Sequence, residues 1–166
     1  MRRLWALWLL LAVVGCAGRT PQPALLPPAS DLELRRVDLP DFGMRISIPV
    51  NWAAKPTLPG NRVWIGPRRA RGRADLRLVT GTEYRRPLED LVVGLARMRG
   101  VATPTGVNAT TVAGHEAMTC SGHRGGRRMV AFAWQEDERT TVIVASWIDD
   151  EDGAALATMI ATLAER

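Results

Sequence analysis

Two histidines and a cysteine lie close together in the sequence, at His115, Cys120 and His123. Imidazole and thiolate groups are good zinc ligands, and a Cys–His pair can also supply a nucleophile and its base. The segment predicts a β-strand, however, so side chains alternate between its two faces. His115 and His123 would lie roughly 26 Å apart on one face, with Cys120 on the other. We therefore expect no metal and no cofactor here.

An acidic run from Asp149 to Asp152 precedes Gly153 and could suggest a calcium-binding loop. With Gly153 as the loop glycine, the first and last ligand positions would be Ile148 and Met159, whose side chains do not bind calcium. Acidic residues at a helix N-terminus interact favourably with the helix dipole and with the unpaired N–H groups. The run therefore predicts the start of a helix.

Positive charge is densest in the first half of the sequence, where Asp75 and Glu83 are the opposing acids. The arginines concerned are Arg62, Arg68, Arg69, Arg71, Arg73, Arg77, Arg85 and Arg86. Cations near a membrane surface contribute about 1 kcal/mol each to binding anionic lipid. The loop residues Arg68, Arg69, Arg71 and Arg73 are therefore candidate contacts for a ligand or partner. The alternative is a solvated loop in an arginine-rich chain, whose one lysine is Lys55.

Tryptophans are candidates either for the core or for a binding cleft. Trp134 and Trp147 share a predicted apolar strand face with Phe132, which favours the core. Trp52 and Trp64 lie near predicted loops and are candidate binding aromatics. The sequence contains no GxSxG motif, no glycine-rich phosphate loop and no paired-carboxylate signature. We therefore expect no catalytic residues and predict that the chain is not an enzyme.

The first half of the chain predicts three strands. Met44 to Pro49 alternates apolar and polar residues, which is typical of a half-buried strand. Val63 to Ile65 and Ala74 to Thr82 predict two more, joined by an arginine-rich loop at residues 66–73.

A helix is predicted next, from apolar residues with helical spacing: Leu88, Leu91, Val92, Leu95 and Met98. Pro87 would take the first helical position and Gly100 would follow the last, an asymmetry typical of helix ends.

The second half predicts an antiparallel meander. Its strands are Val107–Val112, His115–Arg124, Arg127–Gln135 and Thr140–Ile148. Gly125 and Gly126 favour a two-residue hairpin turn, which would pair Cys120 with Ala131. A four-residue connection after Gln135 would pair Phe132 with Ile143.

Both faces of this predicted sheet are apolar. One face would carry Val130, Phe132, Trp134, Ile143 and Trp147. The other would carry Met118, Cys120, Met129, Ala131, Ala133, Val142 and Val144. Two apolar faces require cover on both sides. A closing helical stripe, Leu156, Met159, Ile160 and Leu163, supplies one cover. We therefore predict an α+β fold, an antiparallel β-sheet covered by helices on both faces.

The N-terminal segment has the pattern of an export signal. Arg2 and Arg3 precede an apolar run from Leu4 to Val14, about half of what a membrane-spanning helix needs. Val13-Val14-Gly15-Cys16 resembles the bacterial lipobox, which implies acylation of the Cys16 thiol and cleavage just before it. The alternative is an ordinary signal peptide cut elsewhere. Ala17 is not the Asp that favours inner-membrane retention in that family, so we expect an outer-membrane anchor facing the periplasm.

These patterns divide the chain into three parts. Residues 1–15 are the predicted signal peptide, 16–36 the lipidated cysteine and a proline-rich linker, and 37–166 one globular domain. The net charge of +5 includes Arg2 and Arg3, so the mature chain would be only mildly basic. Lipidation of Cys16 would leave Cys120 without a disulfide partner, so stability must come from the core. An exported, lipidated protein is not expected to bind nucleic acid.

The globular part resembles the PsbP-like family. The likeness extends from about Phe42 to Leu163 and includes FGMRISIPVNW, with Ile48-Pro49-Val50-Asn51-Trp52 as its clearest part, and Val112-Ala113-Gly114. It implies a PsbP-like α/β/α sandwich, and membership among assembly factors and binding adaptors without shared catalytic residues. We therefore expect a cell-envelope lipoprotein with a non-enzymatic binding or assembly-accessory domain. It would contact the membrane through its lipid anchor and an envelope protein through its surface. The alternative is a periplasmic carrier of a small apolar ligand or lipid.

Overall fold

The computed structural model describes residues 32–58, 61–69, 72–82 and 86–165. Cys16, the signal segment, most of the linker and Arg71 lie outside the described residues. In chain order the elements are β1 (Leu34–Leu39), a 3-10 helix (Pro40–Phe42), β2 (Met44–Pro49), β3 (Trp52–Leu58), β4 (Arg62–Pro67), β5 (Ala74–Gly81), α1 (Leu88–Met98), β6 (Thr105–Val112), β7 (His115–Arg124), β8 (Arg127–Glu136), β9 (Arg139–Trp147), α2 (Asp150–Ala161) and β10 (Ala164–Glu165).

The described strands form two antiparallel sheets. The larger has seven strands in the order β3-β4-β5-β9-β8-β7-β6, and the smaller has the order β1-β2-β10. The long hairpin strands β8 and β9 lie in the middle of the larger sheet and pair along almost their whole length. The larger sheet thus provides most of the fold.

The hairpin turns fix the register of the meander. Gly125 and Gly126 have φ angles of 54° and 78°, and positive φ at both positions is typical of the type I′ turn that matches strand twist. Cys120 pairs with Ala131, and Phe132 pairs with Ile143. The register that the sequence predicts is therefore confirmed.

Side chains of the larger sheet divide between two core clusters. The first contains Val130, Phe132, Trp134, Ile143 and Trp147, together with Ile46 and Ile48 of β2 and Leu156 and Met159 of α2. The second contains Cys120, Met129, Ala131, Ala133, Val142 and Val144, together with Leu91, Val92 and Ala96 of α1. The predicted division of the meander residues between two faces is confirmed. The described part of the chain is α+β, mostly antiparallel sheet with the two α-helices α1 and α2.

Three described strands, β1, β3 and β10, are absent from the sequence prediction. β1 begins at Leu34, before Val37, where the globular part was expected to start. β3 was not predicted, since Ala53, Ala54 and Pro56 give it a weak strand pattern. Proline is tolerated there because β3 is an edge strand of the sheet, where an N–H group is not needed for pairing.

Helix α1 lies mainly on β6, β7 and β8. Pro87 is the N-cap residue, one position before the predicted one, and Met98 is 76% exposed, so the apolar stripe of the helix ends at Leu95. Val101, just after the helix, packs on Gly122, where a Cβ atom would lie 2.3 Å from Val101 Cγ1. Because α1 lies over β6 to β8, the same face of β3, β4 and β5 remains open beside it.

Neither helix of the described chain has the length and apolar content that crossing a bilayer requires.

Candidate functional site

A row of three side chains lies across the open part of the larger sheet. Lys55 of β3 pairs with Trp64 of β4, and Trp64 pairs with Arg77 of β5. Directly paired residues lie on the same face of a sheet, with Cβ atoms about 4.5–5.5 Å apart. Their strand neighbours Val63, Ile65 and Leu76 point into the first core cluster. The alternation of the strands therefore places these three long side chains on the face that α1 leaves open.

These side chains border a concave cavity of about 900 Å³, which we call the cationic groove. One side is formed by the C-terminal end of α1, with Arg99 and Val101. Another is formed by the β7–β8 hairpin, with Arg124 and Arg127. Five cationic side chains line the groove: Lys55, Arg77, Arg99, Arg124 and Arg127. Among the described residues that line it, Asp75 is the one acid.

Asp75 is buried at the base of the groove, 8% exposed. Arg77 Nε donates to one carboxylate oxygen at 2.7 Å, and the Ser146 hydroxyl donates to the other. Arg127 Nη1 donates to Ser146 Oγ at 2.8 Å and lies 3.6 Å from Asp75 Oδ1. The single carboxylate thus holds Arg77, Arg127 and Ser146 in place, and its two oxygens are occupied.

The other two arginines of the groove, Arg99 and Arg124, do not form ion pairs with Asp75. Arg99 is half-buried, and burial together with the charge of Arg77 lowers the pKa of its guanidinium. Arg124 lies against Gly100, where a Cβ atom would be 2.3 Å from Arg124 Nη1. Within the described residues, no carboxylate lies within ion-pair distance of Arg99, Arg124 or Lys55. The groove therefore carries positive charge that the described chain does not neutralise.

The two candidate tryptophans have different positions. Trp52 is 3% exposed and belongs to the first core cluster, so its burial does not fit the predicted role as a binding aromatic. Trp64 is half-exposed and lines the cationic groove. The structure thus leaves Trp64 as the candidate binding aromatic.

Of the four candidate arginines of the predicted loop, the three that the structure describes, Arg68, Arg69 and Arg73, do not line the cationic groove. Arg68 and Arg69 are exposed just beyond β4, and Arg68 borders a smaller recess on the outer side of Trp64. Arg71 lies outside the described residues. Arg73 forms a hydrogen-bonded ion pair with Asp149, and its Nε lies 3.6 Å from Asp152 Oδ2. Arg73 therefore ties the β4–β5 loop to the start of α2.

Cys120 and the histidines lie in different places. Cys120 is fully buried, its thiol donates to the Val92 carbonyl at 3.1 Å, and burial raises its pKa to about 11. His115 stacks on Trp134 of the first core cluster, with ring centroids 5.4 Å apart. His123 is exposed. The structure does not bring these three residues into one site.

A different cluster, which the sequence did not suggest, lies where β7, β8 and β10 meet. The ligand atoms of His115, Glu136 and Glu165 lie within 4.8 Å of one another. Such groups could hold a metal ion. Both glutamates are exposed, and His115 Nε2 lies 3.2 Å from Glu165 Oε1. This contact links the start of β7 to the short strand β10.

The sequence prediction missed most of the groove. Asp75 and Arg77 alternate with Leu76 and Leu78, so strand parity alone could have placed both on the face opposite the apolar side chains. Arg124 and Arg127 flank the glycine turn, so the predicted hairpin alone could have placed them opposite each other. Arg99 gave no such signal, because its approach to the hairpin depends on where α1 packs.

No protein-family model matches the chain, and no curated protein matches it. The chain is similar in structure to cyanobacterial PsbP (CyanoP) from Synechocystis, with a TM-score of 0.54 and 16% sequence identity over 82% of this chain and 95% of that one. A Bacteroides thetaiotaomicron protein gives 0.47 at 9% identity, covering 80% of this chain and 48% of that one.

LpqN, a protein involved in cell envelope biogenesis in Mycobacterium tuberculosis, gives a TM-score of 0.39 at 14% identity, covering 83% of this chain and 88% of that one. The last two scores lie below 0.5. The likeness to CyanoP concerns the fold alone. The described chain therefore has a PsbP-like fold.

Proposed function

We propose that the chain is a non-enzymatic cell-envelope lipoprotein whose PsbP-like domain binds an anionic envelope component through the cationic groove. Residues 1–15 would be the signal peptide, acylated Cys16 the anchor, and the segment from residue 17 to the start of β1 the linker to the domain. The anchor would lie in the outer membrane and face the periplasm. Within the domain, α1 and α2 would cover opposite faces of the larger sheet, as in a PsbP-like α/β/α sandwich.

The observation that carries this proposal is the unbalanced charge of the groove. Five cations surround one buried carboxylate, and the described residues supply no acid for Arg99 or Arg124. Arg124 is exposed, but Arg99 is half-buried, and a partly buried charge is costly unless an opposite charge pairs with it. A complementary anion in the groove would remove that cost, and complementary charge also accelerates association.

A binding role also agrees with the polar groups of the groove. Ser146 is the hydroxyl nearest its base, and it bonds to Asp75 and Arg127. Asp75 also holds Arg77 and Arg127, so Ser146 belongs to a network of charged groups. This arrangement supports the recognition of charge.

The alternative of a carrier for an apolar ligand gains no support from these side chains. Trp52 is part of the core, and the cavity beside Trp64 is lined by cations. An uncharged apolar ligand there would desolvate the arginines without pairing with them.

Photo-crosslinking in living cells tests the proposal. A photoreactive amino acid replaces Thr57, which lines the groove, and in a second strain replaces the exposed Glu151 of α2. Intact-mass measurement of the purified chain then reports any adduct, whether small or large. We expect an adduct at position 57 that Arg99→Glu abolishes and Arg97→Glu leaves in place. Equal adducts at both positions, or an adduct at position 57 that survives Arg99→Glu, would refute the proposed function.

A further inference from the structure

The end of the cationic groove beside α1 has the donors that a phosphate needs. Asp75 occupies Arg77 and Arg127, which leaves Arg99 and Arg124 to bind a ligand. Arg124 packs on Gly100, the residue after Arg99, and both arginines line the groove. Guanidinium groups donate in a planar fork that matches phosphate and carboxylate oxygens. The excess of positive charge in the groove favours a doubly charged phosphate over a singly charged carboxylate.

The other side of the groove presents an aromatic ring. Trp64 lies over Gly66, where a Cβ atom would be 2.5 Å from Trp64 Cζ2, so the absence of a side chain at position 66 makes room for the indole. Lys55 and Arg77 flank it in register. Aromatic side chains stack on planar rings in offset geometry. Trp64, Arg77 and Arg99 also border one smaller recess together, so ring and guanidinium groups lie close to each other.

The size of the groove indicates a small molecule. Its volume of about 900 Å³ lies within the range of roughly 300–1,000 Å³ that is typical of small-ligand sites. The cations converge on this cavity from β3, β5, β7, β8 and the end of α1. Protein partners, by contrast, usually bury about 800 Å² of a broad surface.

We infer that the groove binds a small amphipathic phosphate monoester, with a planar ring on Trp64 and the phosphate between Arg99 and Arg124. This inference rests on the proposed binding role of the groove and names the class of ligand. It involves no bond formation or cleavage.

Isothermal titration calorimetry on the full, lipidated chain in detergent tests this class of ligand. The probes are 1-naphthyl phosphate, inorganic phosphate, which lacks the ring, and 1-naphthoate, which keeps the ring but has a single charge. Since ring stacking and the second charge each add binding free energy, we expect 1-naphthyl phosphate to bind one to one and about ten-fold more tightly than either.

Variants test which residue of the groove binds the phosphate and which binds the ring. Arg99→Gln should weaken binding of both phosphates by about ten-fold, since one charge-assisted contact is lost. Trp64→Leu should weaken binding of 1-naphthyl phosphate and leave inorganic phosphate unchanged. Arg97→Gln, an exposed arginine of the same helix, is the matched control and should change neither. A melting temperature for each variant shows whether it is folded, so that a loss of binding refers to the groove.

Several results would overturn the inference. One is equal affinity for all three probes, and another is equal effects of Arg97→Gln and Arg99→Gln. Displacement of 1-naphthyl phosphate by an oligoglutamate peptide would indicate a protein-docking groove, and displacement by phosphatidylglycerol vesicles would indicate a lipid head group.

If position 57 gives an Arg99-dependent adduct in cells and 1-naphthyl phosphate does not bind, the inference fails and the proposed function stands. If neither occurs, both fail.

Discussion

The indole of Trp64 occupies the space above Gly66, two residues further along the same strand. A Cβ atom on Gly66 would lie 2.5 Å from Trp64 Cζ2 and 3.1 Å from the Ala74 carbonyl oxygen. The first contact is closer than real Cβ atoms approach, and the second leaves little room to move. The position of the aromatic ring in the cationic groove therefore depends on a glycine at position 66.

Gly66→Ala should move the Trp64 ring and reduce stability. Overpacking of this kind typically costs about 1–3 kcal/mol, which urea unfolding can measure. Gly94→Ala is the matched control: a Cβ there meets nothing within 4 Å, and Gly94 lies within α1. Alanine in a helix interior should stabilise the protein by about 0.5–1 kcal/mol. If Gly66→Ala is as stable as the parent chain, the packing of Trp64 described here is wrong.

Asp75→Asn should destabilise the fold, because Asp75 is buried and binds Arg77 and Ser146. Loss of the charge from such a network is expected to lower the free energy of unfolding by about 1–3 kcal/mol. Asp90→Asn, in the exposed first turn of α1, should change it by less than about 0.5 kcal/mol, as surface substitutions usually do. Equal effects of the two substitutions in chemical denaturation would contradict the role given to Asp75.

Burial raises the pKa of the Cys120 thiol from 9.0 to about 11. A raised pKa in the folded state means that folding favours the protonated thiol. The associated stability is complete below the ordinary pKa and is lost as pH rises through about 11. Relative to Cys120→Ala, the parent chain should lose on the order of 1–2 kcal/mol between pH 9 and pH 11. Parallel pH profiles of unfolding free energy for the two proteins would show that the thiol does not titrate in this way.

Cys16→Ser tests the proposed anchor and leaves Cys120 as the one cysteine of the chain. Loss of the thiol at position 16 should abolish labelling by radioactive fatty acid and release the protein from membranes, because no thioether to diacylglycerol can form. Cys120→Ser is the control and should retain both label and membrane attachment. A Cys16→Ser chain that is still labelled and sediments with membranes would exclude this anchor.

Strand order and faces in the second half could be predicted from the sequence because local signals agree there. Gly125-Gly126 fixes one hairpin, and the alternation of Phe132 and Trp134 with Ala131 and Ala133 assigns the faces. β3 could not be predicted in this way, since pairing with β4 outweighs the weak strand preference of its residues. Trp52 therefore looked like a loop aromatic and is in fact in the core.

The groove could be predicted only in part. Trp64 was a candidate, and Arg77 belonged to the basic region, because both features are local in sequence. The contributions of Arg99 and Arg124 depend on the packing of Val101 on Gly122, which brings the end of α1 to the hairpin. Contacts between residues so far apart in the chain leave no periodic pattern in the sequence.

The measurement that tests the central claim most directly follows the Nε–Hε NMR signals of individual arginines during titration with inorganic phosphate at constant ionic strength. If the cationic groove binds anions, the signals of Arg99 and Arg124 shift together and saturate, while the signal of Arg97 on the exposed side of α1 does not. Unsaturated shifts of equal size at all three arginines, or no shift at Arg99 and Arg124, would contradict the account.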